Sequence, residues 1–180
     1  MNIVEGIKSR RSVRKFLEKS VSVEDVENII NIATYAPSWK NSQTTRYVLV
    51  NDSELKTRLA KECMMGFEYN INNALGAPAL VVITTVNKRS GYERDGSFST
   101  AKGTHWQSFD AGIATQTFCL AAHEMGFATV IMGIFEEQKV VDLLDIEEGR
   151  SVSAIVAIGY ADENPQAPKR KTVEELLTVK

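Results

Sequence analysis

Apolar residues recur along this chain with two different periods, and the switches between them mark out the elements in order. Ile3, Val4 and Ile7 stand at helical spacing and predict a short amphipathic helix over 2–9. Val26, Ile29, Ile30 and Ala33 form one apolar stripe. Ser22 is placed to cap the free N–H groups ahead of it, with Asp25 three positions on. Pro37 opposes any helix through Ala36, and the period then shortens to a strand over 46–50. Ser53 opens a further helix to about residue 62, with Leu55 and Leu59 inward. Residues 64–73 are mixed: Phe67, Tyr69 and Ile71 alternate with polar residues, and Asn70, Asn72 and Asn73 crowd together. The run over 79–86 is nearly continuous in apolar residues and reads as a strand buried on both faces.

The second half opens on a long stretch without periodicity, 87–104, carrying Gly91, Gly96 and Gly103 among charges. A loop of that length in a compact domain is a lid, a binding loop or a mobile segment. The longest helical pattern follows, over 106–125. Phe109, Ile113, Phe118 and Leu120 spread apolar surface around most of its circumference, which requires burial either centrally or across a subunit interface. Asp110, Gly112 and Gln116 read as small or polar breaks that permit close helix approach, and Gly126 as its stop. His123 near its end reads as structural. A buried strand over 128–134 contains Gly133, which removes a side chain where something can lie against the backbone. A short helix over 136–144 turns Val140, Val141 and Leu144 inward, and a strand over 152–160 ends near Gly159. Pro165 and Pro168 mark an extended excursion, and Thr172 with Glu175 opens a last short helix with Leu176 and Leu177 inward.

Composition narrows the function classes. A chain of 180 residues accommodates one domain with a real core, spanning 1–180. With 21 basic and 23 acidic residues, any cationic cluster is local, which argues against a nucleic-acid-binding surface. Charges at Glu5, Lys8, Arg10 and Arg11 interrupt any leader-like apolar run, and the longest apolar stretch, 77–83, is far too short to cross a bilayer. Cys63 and Cys119 form no paired motif and read as reduced thiols of a cytoplasmic protein. His105 and His123 are the only histidines, so no metal site is expected. No GxGxxG, GxxxxGK[ST] or GxSxG pattern occurs, which leaves the chemistry to a bound cofactor or to nothing at all.

Two stretches carry candidate chemistry. Arg10-Arg11-Ser12-Val13-Arg14-Lys15-Phe16 places planar guanidinium forks and a hydroxyl together, donors that suit phosphate oxygens. It reads either as a fixed phosphate-binding corner or as a solvated basic patch. The polar loop from Pro37 to Thr44 concentrates amides and hydroxyls that match a heterocycle edge of mixed polarity; it is equally an ordinary helix–strand connection.

The basic cluster, the Pro37-Ser38-Trp39-Lys40-Asn41-Ser42-Gln43 loop, the Asn-rich segment before Gly76-Ala77-Pro78 and the late Pro168-Lys169-Arg170-Lys171 occur in one order. As a set they resemble the nitroreductase family of FMN-dependent oxidoreductases over essentially the whole chain. The resemblance implies an α+β nitroreductase-like fold, a central mixed sheet flanked by helices, assembled as an intertwined homodimer with the 106–125 helix at the interface. It implies that Arg10 and Ser12 meet the FMN phosphate with Arg11 beside them, and that Arg14 reaches the N1 edge of the ring. Pro37, Ser38, Asn41 and Gln43 would come from the partner subunit, with Thr44 standing where the family usually has proline. Asn70 would pair with the pyrimidine edge, with Asn72 and Asn73 as neighbouring registers. Ile131, Met132 and Gly133 would pass along the flavin face, and Arg170 with Lys169 or Lys171 would return to the phosphate.

The implied reaction is ping-pong. NAD(P)H gives a hydride to flavin N5, the nicotinamide leaves, and a small flat acceptor, a nitroaromatic, a quinone or a similar molecule, takes its place. No side chain need act as acid or base. The implied partners are a second copy and that acceptor, with neither nucleic acid nor membrane. Trp39, Phe67, Phe98 and Trp106 are available to shape the acceptor pocket or to fill the core. The alternatives are a specialised relative, such as a flavin reductase or dehalogenase, and a flavin-binding or redox-sensing protein without rapid turnover.

Overall fold

Four strands carry the architecture of the computed structural model, which describes residues 2–180. They are β1 (Thr45–Val50), β2 (Ala79–Val86), β3 (Ala128–Met132) and β4 (Arg150–Gly159), in the spatial order β1-β2-β4-β3. Every neighbouring pair is antiparallel. The expected mixed sheet is therefore corrected for the four strands: β2 and β3 do run in the same direction, but β4 inserts between them and opposes both. The parallel component is confined to one bridge, Ser12 with Thr129.

The alternation of side chains along the two central strands divides the core. Leu80 and Val82 of β2, with Ile155 and Ala157 of β4, face one side; Val81 and Ile83, with Val156 and Ile158, face the other. The first side is covered by α3 (Ser53–Arg58), the π-helical turn Leu59–Cys63, α4 (Glu68–Gly76) and α6 (Glu137–Leu144). The second is covered by α2 (Val23–Ala33) and α5 (His105–Glu124). Burial on both faces explains why these strands read as unbroken apolar runs. One bulge interrupts the β2–β4 ladder between Ile83 and Thr84, and the hydroxyl of Ser153 there bonds that of Thr85 at 2.9 Å.

Local signals decide most boundaries. Ser22 caps α2 in a reciprocal capping box with Asp25, as its spacing predicts. The cap of α3 is Asp52 rather than Ser53: its Oδ1 accepts from Leu55 N at 2.7 Å. Residues 64–73, which carry no single period, contain the start of α4, with Asn70, Asn73 and Ala74 on its buried face. The 87–104 stretch is a loop, as expected, and Gly126 takes the left-handed backbone that ends α5.

The amphipathic faces of the ends remain uncovered within one chain. Ile3 of α1 (Ile3–Ser9) is 76% exposed, with Val4 and Ile7 exposed beside it. Leu176 of α7 (Val173–Leu176) is 70% exposed, and Leu177 is exposed with it, where inward positions were expected. α5 is buried along one flank only, through Ala111, Ala114, Phe118 and Ala122; Phe109, Gly112 and Gln116 are exposed, so the expected all-round burial does not occur within the chain. Among the described residues no helix is long and apolar enough to cross a membrane.

Candidate active site

The basic segment leaves α1 as an extra rung on the edge of β3. Val13 N donates to Thr129 O at 3.1 Å, and Val13 and Phe16 turn into the core. The chain leaving β4 then runs back along this segment. Leu17 N bonds Tyr160 O and Asp162 N bonds Lys15 O, both at 2.9 Å. The carboxylate of Glu163 accepts from Arg14 N at 2.5 Å and Lys15 N at 3.2 Å. This return path brings the two basic clusters together. Arg10, Arg11, Ser12 and Arg14 form one wall of a cleft of about 340 Å³, and Pro165, Gln166, Pro168 and Arg170 form the other. Lys169 is exposed and stands outside the lining.

The guanidinium groups are steadied by carbonyls. Arg11 donates to Lys8 O at 2.6 Å and Arg10 O at 2.9 Å, Arg14 to Ser12 O at 3.2 Å, and Arg170 to Pro168 O at 3.0 Å. Among the described residues, no ion pair joins any of these four arginines to a carboxylate. A concave cluster of guanidinium forks that make no ion pair among the described residues is the donor set of a phosphate site, so the residues fit an FMN phosphate. Behind the cluster, His123 Nε2 lies 2.8 Å from Ser9 Oγ, and burial with the Arg10 charge pushes its pKa below the ordinary imidazole value. Burial raises the thiols of Cys63 and Cys119, which suits packing rather than nucleophilic roles.

A second group of expected residues meets at the end of β3. Asn70 is buried, and its Nδ2 donates to Ile134 O at 3.1 Å, tying α4 to the segment that follows the strand. Asn73 shares that buried face, while Asn72 is exposed. Ile131 is 47% exposed and lines a cavity of about 450 Å³ between α5 and the sheet, with Thr115, Glu137 and Ser153 also on its wall. Met132 sends its side chain into the core. A Cβ built on Gly133 would meet nothing within 4 Å, so the space over this backbone is open.

The 37–44 loop lies elsewhere. It contains the 3₁₀ turn Trp39–Asn41, with left-handed backbone at Lys40, Asn41 and Gln43 (φ 45°, 55° and 47°). Ser38 Oγ accepts from Gln43 N at 2.9 Å, and Gln43 Nε2 donates to Asn41 Oδ1 at 3.2 Å. Pro37, Ser38, Gln43 and Thr44 line a cavity of about 310 Å³ with Asp110 and Ala114 of α5. No residue is common to this cavity and the arginine cleft. The buried side-chain polar atoms without a hydrogen-bond partner among the described residues, Trp39 Nε1, Ser42 Oγ and Thr44 Oγ1, all belong to this loop.

Two residues with structural roles here escape the sequence patterns. Glu163 clamps the basic segment from 148 or more positions away, a pairing no local period signals. Asp110 reads as a break in an apolar helix, yet its carboxylate accepts from Trp39 N and Ser90 Oγ. An isolated acid on a core-facing helix was the available signal.

The sequence model of the nitroreductase family matches residues 7–160. An Archaeoglobus fulgidus protein provisionally named NADH dehydrogenase/NAD(P)H nitroreductase is 30% identical over 158 residues, covering 86% of this chain and 82% of that protein. The crystal structure of a nitroreductase family protein from Streptococcus pneumoniae shares the fold with a TM-score of 0.87 at 23% identity, covering 99% of this chain and 100% of that one. The NADPH:FMN oxidoreductase of Vibrio harveyi, solved with NAD+, aligns with a TM-score of 0.80 at 25% identity, covering 98% of this chain and 76% of that one. With a family match over most of its length, the chain belongs to the nitroreductase family.

Proposed function

We propose that this chain binds FMN through the arginine cleft and uses it to reduce a small flat acceptor, a nitroaromatic, a quinone or a similar molecule, by a ping-pong reaction. As a nitroreductase it is an NAD(P)H-dependent oxidoreductase. The observation that carries the reading is the meeting of two basic clusters, far apart in sequence, around one cleft whose arginines make no ion pair with a carboxylate among the described residues.

Arg10, Arg11, Ser12 and Arg170 hold the phosphate, with Lys169 adding charge outside the lining. Arg14 supplies a fixed cation for the N1 edge of the ring, where negative charge gathers on reduction. Asn70 faces the pyrimidine edge, and the open backbone at Ile131, Met132 and Gly133 lets a flat ring approach. Bound FMN supplies hydride transfer at N5, so the chain's own residues need only bind, orient and leave one ring face free for donor and acceptor in turn.

Pro37, Ser38, Asn41 and Gln43 line no part of the arginine cleft of their own chain, which supports their serving the cofactor of a second copy. The exposed apolar residues of α1 and of 173–179 supply surface for that copy to bury. We place the homodimer in the cytoplasm, where the two buried free thiols stay reduced.

The test is an absorption spectrum of the purified protein without oxygen, before and after NADH or NADPH, with its mass in solution measured alongside. A flavin spectrum that bleaches with either nucleotide, from a particle of twice the chain mass, is the expected result. A colourless protein that also refuses added FMN overturns the reading.

A further inference from the structure

Among the described residues Asp110 is the only carboxylate buried in the core, at 3% exposure. Its Oδ2 is shared by two donors from two different loops: Trp39 N at 2.9 Å and Ser90 Oγ at 2.7 Å. A carboxylate in such surroundings is costly unless donors hold it, and both donors belong to loops rather than to α5 itself.

Other contacts repeat the connection. Lys40 Nζ pairs with Glu93 at 2.9 Å, and Glu93 also accepts from Ser99 Oγ at 2.5 Å. The Trp39 and Trp106 rings lie 4.6 Å apart, and Trp106 Nε1 donates to Thr100 Oγ1 at 2.8 Å. The loop over 37–44 and the loop over 87–104 are thus fastened to each other and to α5 around one buried acid.

We propose that Asp110 is a positioning residue for the cofactor: it fixes the 37–44 loop in the form described and ties it to the 87–104 loop. Lys40, Asn41 and Gln43 are three of the six non-glycine residues at positive φ among the described residues; Asn41 tolerates that backbone, whereas for Lys40 and Gln43 it is an uncommon state that surrounding contacts must hold. The bond from Trp39 N fixes the residue immediately before the first of them. With the latch closed, the amides and hydroxyls of the loop are presented already ordered, so binding does not have to order them. With it open, the loop relaxes and the long loop loses its anchor at Ser90. This inference rests on the reading that Pro37, Ser38, Asn41 and Gln43 meet FMN, although the latch itself does not depend on it.

The experiment uses Asp110→Ala, Asp110→Asn and Ser90→Ala in the full chain. Trp39 and Trp106 are the only tryptophans, so their exciton couplet in circular dichroism reports the latch without any cofactor. Release of FMN, followed by its fluorescence, and the separate kcat and KM for NAD(P)H report its consequence. Asp110→Ala is expected to lose the couplet and to release FMN about 10-fold faster or more, with KM rising more than kcat falls. Asp110→Asn, which keeps an acceptor oxygen, restores part of both, and Ser90→Ala moves them in the same direction by less.

A couplet and a release rate for Asp110→Ala within about twofold of the parent overturn the proposal. Should Asp110→Ala not fold, Ser90→Ala decides on the same two readouts. A parent chain that takes up no FMN overturns the functional reading instead, and the couplet then decides the latch alone: kept in the variants it overturns the latch, lost it supports it.

Discussion

Ser12 and Thr129 pair as a parallel bridge, which lays the basic segment along the edge of β3 and sets its arginines beside the strand that carries Ile131 and leads into Gly133. Charge and open backbone are therefore positioned by one element. The bridge has no sequence signature, because it joins a strand to a segment that has no period of its own.

The arginine cleft predicts a separation between binding and folding. No carboxylate pairs with Arg10 or Arg170 among the described residues, so each can be removed without stranding a buried partner. Arg10→Ala and Arg170→Ala are each expected to weaken FMN binding by about 10-fold or more, the loss of one charge-assisted contact. Their unfolding free energies should stay within about 0.5 kcal/mol of the parent, as for ordinary surface changes. Fluorescence titration with FMN and urea unfolding read the two quantities; unchanged FMN affinity in both variants would sink the phosphate assignment.

Gly133 makes a sharper version of the same test. A Cβ there meets no neighbour within 4 Å, and its backbone is not in the left-handed region. Gly133→Val is accordingly expected to fold with stability within about 1 kcal/mol of the parent. If a flat ring lies against this backbone, the added branches occupy its place and FMN uptake falls at least about 10-fold. A valine variant that takes up FMN as the parent does would show that the ring lies elsewhere.

Much of the fold is readable in the chain because burial on both faces of β2 and β4 forces unbroken apolar runs, and because Ser22 and Thr172 carry capping boxes at fixed offsets. The antiparallel sheet is not readable in that way. It depends on β4 coming to lie between β2 and β3, which no single segment encodes. The arginine cleft is half legible: each cluster is visible as charge, but their meeting depends on the 160–163 return path and Glu163. The helical face of Asn70 emerges only when 64–73 is folded, since Phe67, Tyr69 and Ile71 mimic a strand while Asn70, Asn73 and Ala74 obey the helix. The roles of Asp110 and of the left-handed residues in 37–44 lie in tertiary contacts, beyond any local pattern.

His123 predicts a pH dependence with a definite sign. Burial first, then the charges of Arg10 and Arg11, lower its folded pKa below the unfolded value of about 6.5, while Glu124 opposes them. Between the two values the unfolded chain binds more protons than the folded one, so this residue's contribution is present above about pH 6.5 and is lost as pH falls through the folded pKa. His123→Gln removes that proton while leaving a side chain that can still bond Ser9 Oγ. Urea unfolding of parent and variant across about pH 5 to 7 checks it: the slope with pH should be smaller in the variant, and equal slopes would contradict the assignment.

Gly159 gives the most direct test of packing beneath the site. It ends β4 where the chain turns toward Glu163, and a Cβ built on it would lie 2.5 Å from Pro78 Cδ and 2.9 Å from Phe16 Cδ1. Neither neighbour can yield easily. The Pro78 ring is rigid and precedes β2, and Phe16 is buried in the core just after the basic segment. Gly159→Ala is therefore expected to destabilise the chain by about 1–3 kcal/mol, the range for overpacking a filled core. Because Phe16 carries the segment that holds Arg14, relief of the clash displaces that segment, and FMN affinity falls with stability. A compensating Phe16→Ala in the same chain removes the Cδ1 contact and should recover part of the loss, read as coupling in a double-mutant cycle. Strict additivity of the two substitutions would show that Gly159 and Phe16 are not coupled.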